Sequence, residues 1–382
     1  MKYLDRGISQ HILGNLRPNK VLVLLGPRRV GKTSLIKKLL ENLSQEKVLH
    51  LNGEDTAVAD FLGQRTIENY KRLLAGITLL IIDEAQKIQE IGAILKLMVD
   101  EIPGIKIIIS GSSQFDLSNK VGEPLTGRKI TFQLFPLAQT EYQMQENLIQ
   151  TKANLEDRLI FGSYPELLDY PAKQDKVNYL NELVQSYLLK DILAIEGIRN
   201  ASKMLDLLRL IAFQVGSEVS HDELGKQLGM SKNTVEKYLD LLNKVFVIFK
   251  LQGFSRNLRG EIVKSSKWYF YDNGIRNTLL ANFSPLSLRQ DVGVLWENYC
   301  LYERVKFQSI LQMPVNNYFW RTYQQQEIDW IEEREGNLFA YEIKWNPKKT
   351  IKVPSAWHTA YPNAKFEIIN PENYINWITN PV

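Results

Sequence analysis

A glycine-rich turn between an apolar run and a helical run constrains this chain more than any other feature. The run VLVLLG (21–26) is apolar on both faces, as in a buried strand, and GPRRVGKTS overlaps its end. The turn fits G-x-x-x-x-G-K-[ST] in full, and TSLIKKLLENL continues it as a helix. Because the turn joins a strand to a helix, it predicts a phosphate-binding loop at the positive end of that helix.

Each part of this loop has an expected role in holding ATP. The glycines let backbone N–H groups wrap a phosphate, Lys32 reaches the β- and γ-phosphates, and Thr33 ligates Mg²⁺. The alternative is a chance glycine-rich turn. The residues predicted to line the nucleotide are Gly26, Pro27, Arg28, Arg29, Val30, Gly31, Lys32, Thr33 and Ser34.

Two further strand ends are predicted to complete this site. Asp83 ends the run LLIID and is expected to hold Mg²⁺, because a carboxylate at the end of a buried strand needs a cation. Glu84 follows and is expected to polarise the attacking water; a helix-capping Asp-Glu pair is the alternative. The next strand ends in SGSS, where either Ser112 or Ser113 is the candidate to reach the γ-phosphate, and a loop of small residues is the alternative.

LTGR precedes the fifth apolar run and ends in Arg128. An exposed arginine there is predicted to enter the nucleotide site of an adjacent subunit as an arginine finger. A solvated surface charge is the alternative. An arginine finger supplied by an adjacent subunit requires a homo-oligomer.

Composition excludes several classes of protein. A single cysteine, Cys300, excludes an internal disulfide framework, and four scattered histidines leave no Cys/His spacing for zinc. The start MKYLDRGISQ has no signal-peptide pattern, and no apolar run approaches the ~20 residues of a membrane helix. We therefore expect a cytoplasmic protein without a membrane partner. The net charge of +4 permits nucleic acid as a partner without requiring it.

The pattern of predicted helices and strands changes three times along the chain, which predicts four segments. Five short apolar runs alternate with helical stretches in the first, which indicates a parallel α/β sheet. The second is helical, the third contains compact helices and a strand pair, and the fourth mixes helices with strands. The predicted segments are 1–150, 151–200, 201–282 and 283–382.

The third segment has the pattern of a winged helix-turn-helix. DELGKQLG predicts a short helix that ends at Gly229, and Ser231 is a suitable N-cap for the next. The apolar run FVIFKLQGF and SSKWYFYDNG then resemble the strands of a wing. Segment 201–282 has twelve Lys/Arg and eight Asp/Glu, so DNA and a protein partner both stay open. The residues predicted to face nucleic acid are Lys232, Asn233, Thr234 and Lys237.

The last segment carries a second set of polar residues. An amphipathic helix with Glu297 is followed by the runs NNYFWRT, EIDWIEER and LFAYEIKW, then a helix and a strand. This α-β-β-β-α-β order resembles the PD-(D/E)XK nuclease core. Asp329, Glu342 and Glu297 are predicted to hold Mg²⁺, and Lys344 to position or activate the attacking water. Ordinary alternation of apolar and charged residues along half-exposed strands is the alternative.

GPRRVGKTS, IIDEAQ, SGSS, LTGR and FQLFPLAQTEY together resemble the prokaryotic AAA+ ATPases of the archaeal/bacterial type. This resemblance covers nearly the whole chain. It implies an AAA+ P-loop sheet with a helical lid at 151–200, a winged helix at 201–282 and a restriction-endonuclease-like α/β domain at 283–382. It also implies a ring or other oligomer in which each site is completed by its neighbour.

Three functions remain open on the sequence. The leading hypothesis is an oligomeric ATPase that acts on DNA through its C-terminal half. The second is an ATP-dependent switch or scaffold whose C-terminal domain is an inert docking module for a protein. A small-molecule kinase leaves DEAQ, SGSS and LTGR unexplained.

Overall fold

The computed structural model of the chain describes residues 3–112, 125–188, 200–256, 266–349 and 351–380. The chain divides into two compact units, and each is built on its own sheet. The first unit comprises Asp5–Phe135 and Lys244–Phe246, and the second comprises Met1–Leu4, Pro136–Asn243 and Val247–Val382.

The first unit contains a parallel sheet of five strands in the order β2-β3-β4-β1-β5. Its elements are α1 (Ser9–Asn15), β1 (Lys20–Leu25), α2 (Lys32–Glu41), β2 (Val48–Asn52), α3 (Thr56–Gly63), α4 (Ile67–Leu73), β3 (Leu79–Asp83), α5 (Ile91–Glu101), β4 (Lys106–Gly111) and β5 (Lys129–Gln133). All neighbouring strands run parallel. The predicted parallel α/β sheet is confirmed, and each of the five apolar runs forms one strand.

The strand order brings three loops together. Strand β4 lies between β1 and β3, and it pairs with both. Since the carboxyl ends of parallel strands share one edge of a sheet, the loops that follow β1, β3 and β4 are neighbours. Along the chain these loops are separated by some fifty and then some thirty residues, so only the sheet can unite them.

The second unit contains a mixed sheet of six strands in the order β11-β10-β9-β8-β6-β7. Its elements are α6 (Gln139–Tyr142), α7 (Leu148–Ala153), α8 (Leu155–Phe161), α9 (Lys173–Glu182), α10 (Ala201–Phe213), α11 (His221–Leu228), α12 (Lys232–Lys244), β6 (Ile248–Gly253), β7 (Ser266–Phe270), α13 (Asn273–Leu279), α14 (Val292–Ile310), β8 (Asn316–Arg321), β9 (Glu327–Arg334), β10 (Asn337–Ile343), α15 (Ser355–Ala360), β11 (Lys365–Ile369) and α16 (Tyr374–Thr379). The α-β-β-β-α-β order predicted for the last hundred residues is present as α14, β8, β9, β10, α15 and β11.

One sheet crosses the segment boundary predicted near residue 283. The antiparallel hairpin of β6 and β7 joins the C-terminal strands where Gln252 and Gly253 pair with Tyr318 and Phe319 of β8. Apart from Lys244–Phe246, the segments 151–200, 201–282 and 283–382 lie in the second unit. The sheet thus continues across residue 283, and the boundary itself stays a prediction.

Helix α14, which is predicted to be amphipathic, buries twelve of its nineteen residues. Glu303, Arg304 and Lys306 are all buried. Arg304 forms a fork-like ion pair with Glu332 of β9, with Nε–Oε1 and Nη2–Oε2 distances of 2.5 and 2.8 Å. Lys306 Nζ lies 2.8 Å from Glu303 Oε1. Charged side chains tolerate such burial only when paired, and here each is paired.

Within the described ranges, none of the helices combines the length and the apolar character that crossing a bilayer requires.

Candidate functional site

The loop between β1 and α2 has a backbone that depends on glycine. A side chain at Gly26 would collide with the carbonyl oxygen of Leu134, which follows the neighbouring strand β5. Gly31, directly before α2, has φ +92°, in the left-handed region that glycine enters without steric cost. Arg29 also has a positive φ of 65°. The two motif glycines are therefore required by the loop's geometry.

Lys32 turns its ammonium group into the curve of this loop. The side chain is buried, and Nζ donates to the carbonyl oxygens of Gly26 (2.9 Å) and Pro27 (3.0 Å). Residue 32 also opens α2, where unpaired backbone N–H groups and the helix dipole favour an anion. The lysine and the helix end thus place positive charge at one point, as a phosphate requires.

The other predicted loop residues surround this point. Pro27 and Val30 are buried and hold the loop against the sheet, and Arg28 is half-buried. Arg29 and Ser34 are exposed. These placements are compatible with the predicted contacts to a nucleotide, which stay predictions.

Thr33 and Asp83 meet across the carboxyl edge of the sheet. Thr33 Oγ1 donates to Asp83 Oδ2 at 2.6 Å, and Ser110 Oγ donates to Asp83 Oδ1. A hydroxyl and a carboxylate side by side are hard oxygen donors, which Mg²⁺ prefers. The chemistry of these residues therefore fits the predicted Mg²⁺.

Glu84 has an unusual backbone for a side chain other than glycine. Its φ and ψ are 50° and 41°, and a Cβ on Gly53 would lie only 2.5 Å from the Glu84 carbonyl oxygen. Glu84 Oε2 accepts a hydrogen bond from Gln86 Nε2 at 2.5 Å. Nine other described residues besides glycine also have a positive φ. The case for Glu84 therefore rests on its place beside Asp83 and on its hydrogen bond to Gln86.

The structure describes only one of the two serine candidates. Ser112 follows β4 and is buried, and its Oγ accepts from Gln86 Nε2 at 3.2 Å. Ser113 lies outside the described residues. Ser112 is therefore the one that the structure places beside Glu84.

Sequence reasoning missed two residues of this site. Arg6 is buried, and its guanidinium donates to the carbonyl oxygens of Val30 (2.7 Å) and Phe135 (2.6 Å). No local pattern signals a contact made over such distances along the chain. Gln86 had a signal, since it stands three residues after Asp83 in the motif IIDEAQ.

Arg128 lies at the edge of the sheet opposite the nucleotide loop. It directly precedes β5, and its carbonyl oxygen accepts from the N–H of Val21 at the start of β1. Its Nε lies 2.7 Å from Asp100 Oδ1, and both side chains are more than a third exposed. Arg128 is thus not part of the site formed by its own chain.

The C-terminal candidate residues come together, but lysines lie between the carboxylates. Lys344 Nζ is 2.7 Å from Glu342 Oε1 and 3.1 Å from Asp329 Oδ2. Lys267 of β7, which sequence reasoning missed, is buried and ion-paired with Glu327. The ammonium groups thus supply positive charge where a divalent cation was predicted.

The protonation of this cluster follows from burial and mutual charge. Burial and the neighbouring Asp329 raise the pKa of Glu297 to about 7, and Tyr269 donates to its Oε1 at 2.7 Å. Burial works against the charged form of Lys344, but Asp329 and Glu342 raise its pKa above the ordinary value. Lys344 therefore stays protonated at neutral pH, which suits a positioning cation better than a base.

Metal binding at the C-terminal cluster stays a prediction. In the described part of the chain, no group of three or more His, Cys, Asp or Glu side chains is arranged to hold a metal ion. Glu342 Oε2 is buried and has no hydrogen-bond partner among these residues. One carboxylate oxygen is thus available, but the three predicted ligands do not form a ready site.

The predicted nucleic-acid residues lie at the start of α12. Ser231 caps this helix, since its Oγ accepts from the N–H of Thr234 at 3.1 Å. Lys232, Asn233 and Lys237 are exposed, and Thr234 is half-buried. The helix buries its opposite face through Val235, Leu239 and Leu242.

Comparison with known proteins identifies part of the chain. Residues 18–143 match a family model described as an AAA domain. This match supports an AAA+ ATPase fold for the N-terminal part of the chain. Residues 152–286 and 292–376 match two further models, described as domains of unknown function (DUF8612 and DUF4143). The matched residues 18–143 contain the loop, Asp83, Glu84, Ser112 and Arg128.

Proteins related to this chain share little sequence identity with it. An uncharacterized protein of Mycobacterium tuberculosis is 27% identical over 330 residues, which cover 85% of this chain and 70% of that protein. An uncharacterized protein of Methanocaldococcus jannaschii is 24% identical over 385 residues, covering 95% of this chain and 83% of the relative. AMPPCP-bound DnaA from Aquifex aeolicus is a similar solved structure, with 16% identity, a TM-score of 0.29 and coverage of 62% of this chain and 88% of that one.

Proposed function

We propose that the AAA domain binds ATP together with Mg²⁺ and hydrolyses it. The meeting of Lys32, Thr33, Asp83 and Glu84 at one edge of the sheet supports this proposal most strongly. Lys32 and the N-terminus of α2 bind the phosphates. Thr33 and Asp83 would hold Mg²⁺, which supplies charge neutralisation when bound.

Glu84 carries the hydrolytic role in this proposal. A water attacks the γ-phosphorus, and the bond to the oxygen that bridges the β- and γ-phosphates breaks. Glu84 accepts the proton of that water, and ADP and phosphate leave. Its carboxylate lies at the same edge of the sheet as Lys32, so one bound triphosphate is within reach of both. Replacement of Glu84 by glutamine tests this role, because it should stop turnover while nucleotide still binds.

We also propose that the protein works as an oligomer. Arg128 lies at the opposite edge of the sheet from its own loop, so it can serve a nucleotide only in another subunit. The ion pair that it forms with Asp100 is exposed, and such pairs are worth about 0–1 kcal/mol. Arg128 can therefore leave Asp100 at low cost when a neighbouring subunit offers a phosphate.

We propose DNA as the target of the ATPase, contacted by α12. The exposed start of this helix carries two lysines and an asparagine, side chains that meet phosphates and base edges. The basic surplus of segment 201–282 is nevertheless smaller at the surface than in the sequence. Two of its cations, Lys267 and Arg276, are buried against Glu327 and Asp291.

Salt dependence tests DNA contact. We expect Lys237→Ala to weaken binding to duplex DNA about equally for all sequences and to lower the slope of log K against log [salt] by about 1. Lys173→Ala is the control, because Lys173 is an exposed lysine on another helix, α9. Equal slopes for the two variants, or no binding at low salt, would count against DNA contact through α12.

A second candidate is an ATP-dependent switch whose C-terminal part docks a protein partner and cuts nothing. The two lysines that neutralise the Glu327, Asp329 and Glu342 carboxylates favour it over a metal-dependent nuclease. Plasmid DNA incubated with Mg²⁺ or Mn²⁺, with and without ATP, should then stay uncut. Cleavage by the wild-type chain that is lost in both Glu342→Ala and Lys344→Ala would instead establish a nuclease.

A further inference from the structure

The side chain of Gln86 bridges two residues that the proposed hydrolysis needs. Gln86 lies in a 3-10 turn, Ala85–Lys87, that begins directly after Glu84. Its Nε2 donates to Glu84 Oε2 at 2.5 Å and to Ser112 Oγ at 3.2 Å. The Gln86 side chain is buried, so water does not compete strongly for these hydrogen bonds.

The pattern of donors and acceptors gives this bridge a direction. An amide nitrogen carries two hydrogens, and here one is directed to each partner. A serine hydroxyl that accepts a hydrogen bond still has its own hydrogen to donate. Gln86 therefore leaves the O–H of Ser112 available to a phosphate oxygen.

The same bridge restricts Glu84. The backbone of Glu84 is fixed by its left-handed conformation and by the close approach of Gly53. Its side chain still has three rotatable bonds, and ordering such a side chain costs conformational entropy. The short hydrogen bond from Gln86 holds the carboxylate in one orientation.

We propose that Gln86 is a positioning residue that fixes the carboxylate of Glu84 relative to the hydroxyl of Ser112. Ser112 lies at the end of β4, between the strands that carry the nucleotide loop and Asp83, so it is placed to contact the γ-phosphate. Gln86 thus links Glu84, the proposed base, to Ser112, the proposed contact of the γ-phosphate. This inference rests on the proposed ATPase function.

The first test separates turnover from binding. We expect Gln86→Met, which keeps the length but removes the donor, to lower kcat for ATP by roughly tenfold to a hundredfold. The Kd of a fluorescent ATP analogue should stay within about twofold, because Gln86 does not hold the nucleotide. Gln86→Leu also removes the donor without adding charge, so it should show the same loss and serves if the methionine variant folds poorly. Gln89→Met is the control, as Gln89 is exposed three residues further on.

A double-mutant cycle tests the bridge itself. If Gln86 acts by joining Glu84 to Ser112, then Gln86→Met and Ser112→Ala are non-additive, and the double variant turns over about as fast as the slower single variant. Multiplied effects, or a Kd that rises as kcat falls, would overturn the inference. A wild-type chain that does not hydrolyse ATP would overturn the proposed function as well. If the wild-type chain hydrolyses ATP and the Gln86→Met protein is equally active, only the role of Gln86 is overturned.

Discussion

Replacing Lys32 by alanine is expected to lower kcat/KM for ATP by roughly a thousandfold. The Lys32 ammonium is buried in the curve of the loop and donates to the carbonyl oxygens of Gly26 and Pro27. Its loss removes the positive charge that meets the β- and γ-phosphates, and binding of ATP should weaken together with turnover. Initial rates of phosphate release and titration with a fluorescent ATP analogue measure the two effects.

The matched control for this change is Lys37→Ala. Lys37 lies on the same helix, α2, but its side chain is exposed. Its replacement should leave both measurements within about twofold, because a solvated surface charge contributes little at a distance. Unchanged ATP turnover in Lys32→Ala would mean that the loop between β1 and α2 is not the nucleotide site.

Replacing Arg128 by alanine is expected to lower kcat by roughly a thousandfold while ATP still binds. Arg128 is remote from its own loop, so its effect should cross from one subunit to another. An equimolar mixture of Arg128→Ala and Lys32→Ala proteins should therefore recover part of the activity that each lacks. The first supplies intact nucleotide sites and the second supplies intact Arg128 side chains.

Arg65→Ala is the control for the Arg128 experiment. Arg65 also forms an exposed ion pair, with Glu90 at 2.7 Å, so both changes break a similar surface contact. Arg65→Ala should keep nearly full turnover. If Arg128→Ala is as active as Arg65→Ala, or if the mixture recovers nothing, Arg128 does not act in trans.

The nucleotide site was predictable because its signals are local or lie at strand ends. The loop motif names its own lysine and threonine, and the run LLIID marks Asp83 as the end of a buried strand. The strand order then decides which ends are neighbours, and parallel α/β sheets offer few arrangements. The contact between Asp83 and Thr33 follows from this strand order, although fifty residues separate them along the chain.

Contacts between distant segments were not predictable in the same way. Arg6 reaches Phe135 over 129 residues, and Lys267 reaches Glu327 over 60 residues. Neither arginine nor lysine carries a local pattern that distinguishes a buried pair from a surface charge. The buried charges of α14 were not predictable for the same reason, because Arg304 pairs with Glu332 of β9 and Glu303 accepts from the N–H of Gln139 in α6. For the C-terminal strands, alternation placed Asp329, Glu342 and Lys344 on suitable faces, but it did not show that the lysine lies between the carboxylates.

The release of phosphate from ATP by the purified chain is the most direct test of hydrolysis at this site. With Mg²⁺ present we predict steady release, which stops when the metal is chelated. Glu84→Gln should lower that release by roughly a hundredfold or more and leave nucleotide binding intact. A wild-type chain that binds ATP but releases no phosphate at any Mg²⁺ concentration would contradict the proposal, and so would a Glu84→Gln chain that turns over at the wild-type rate.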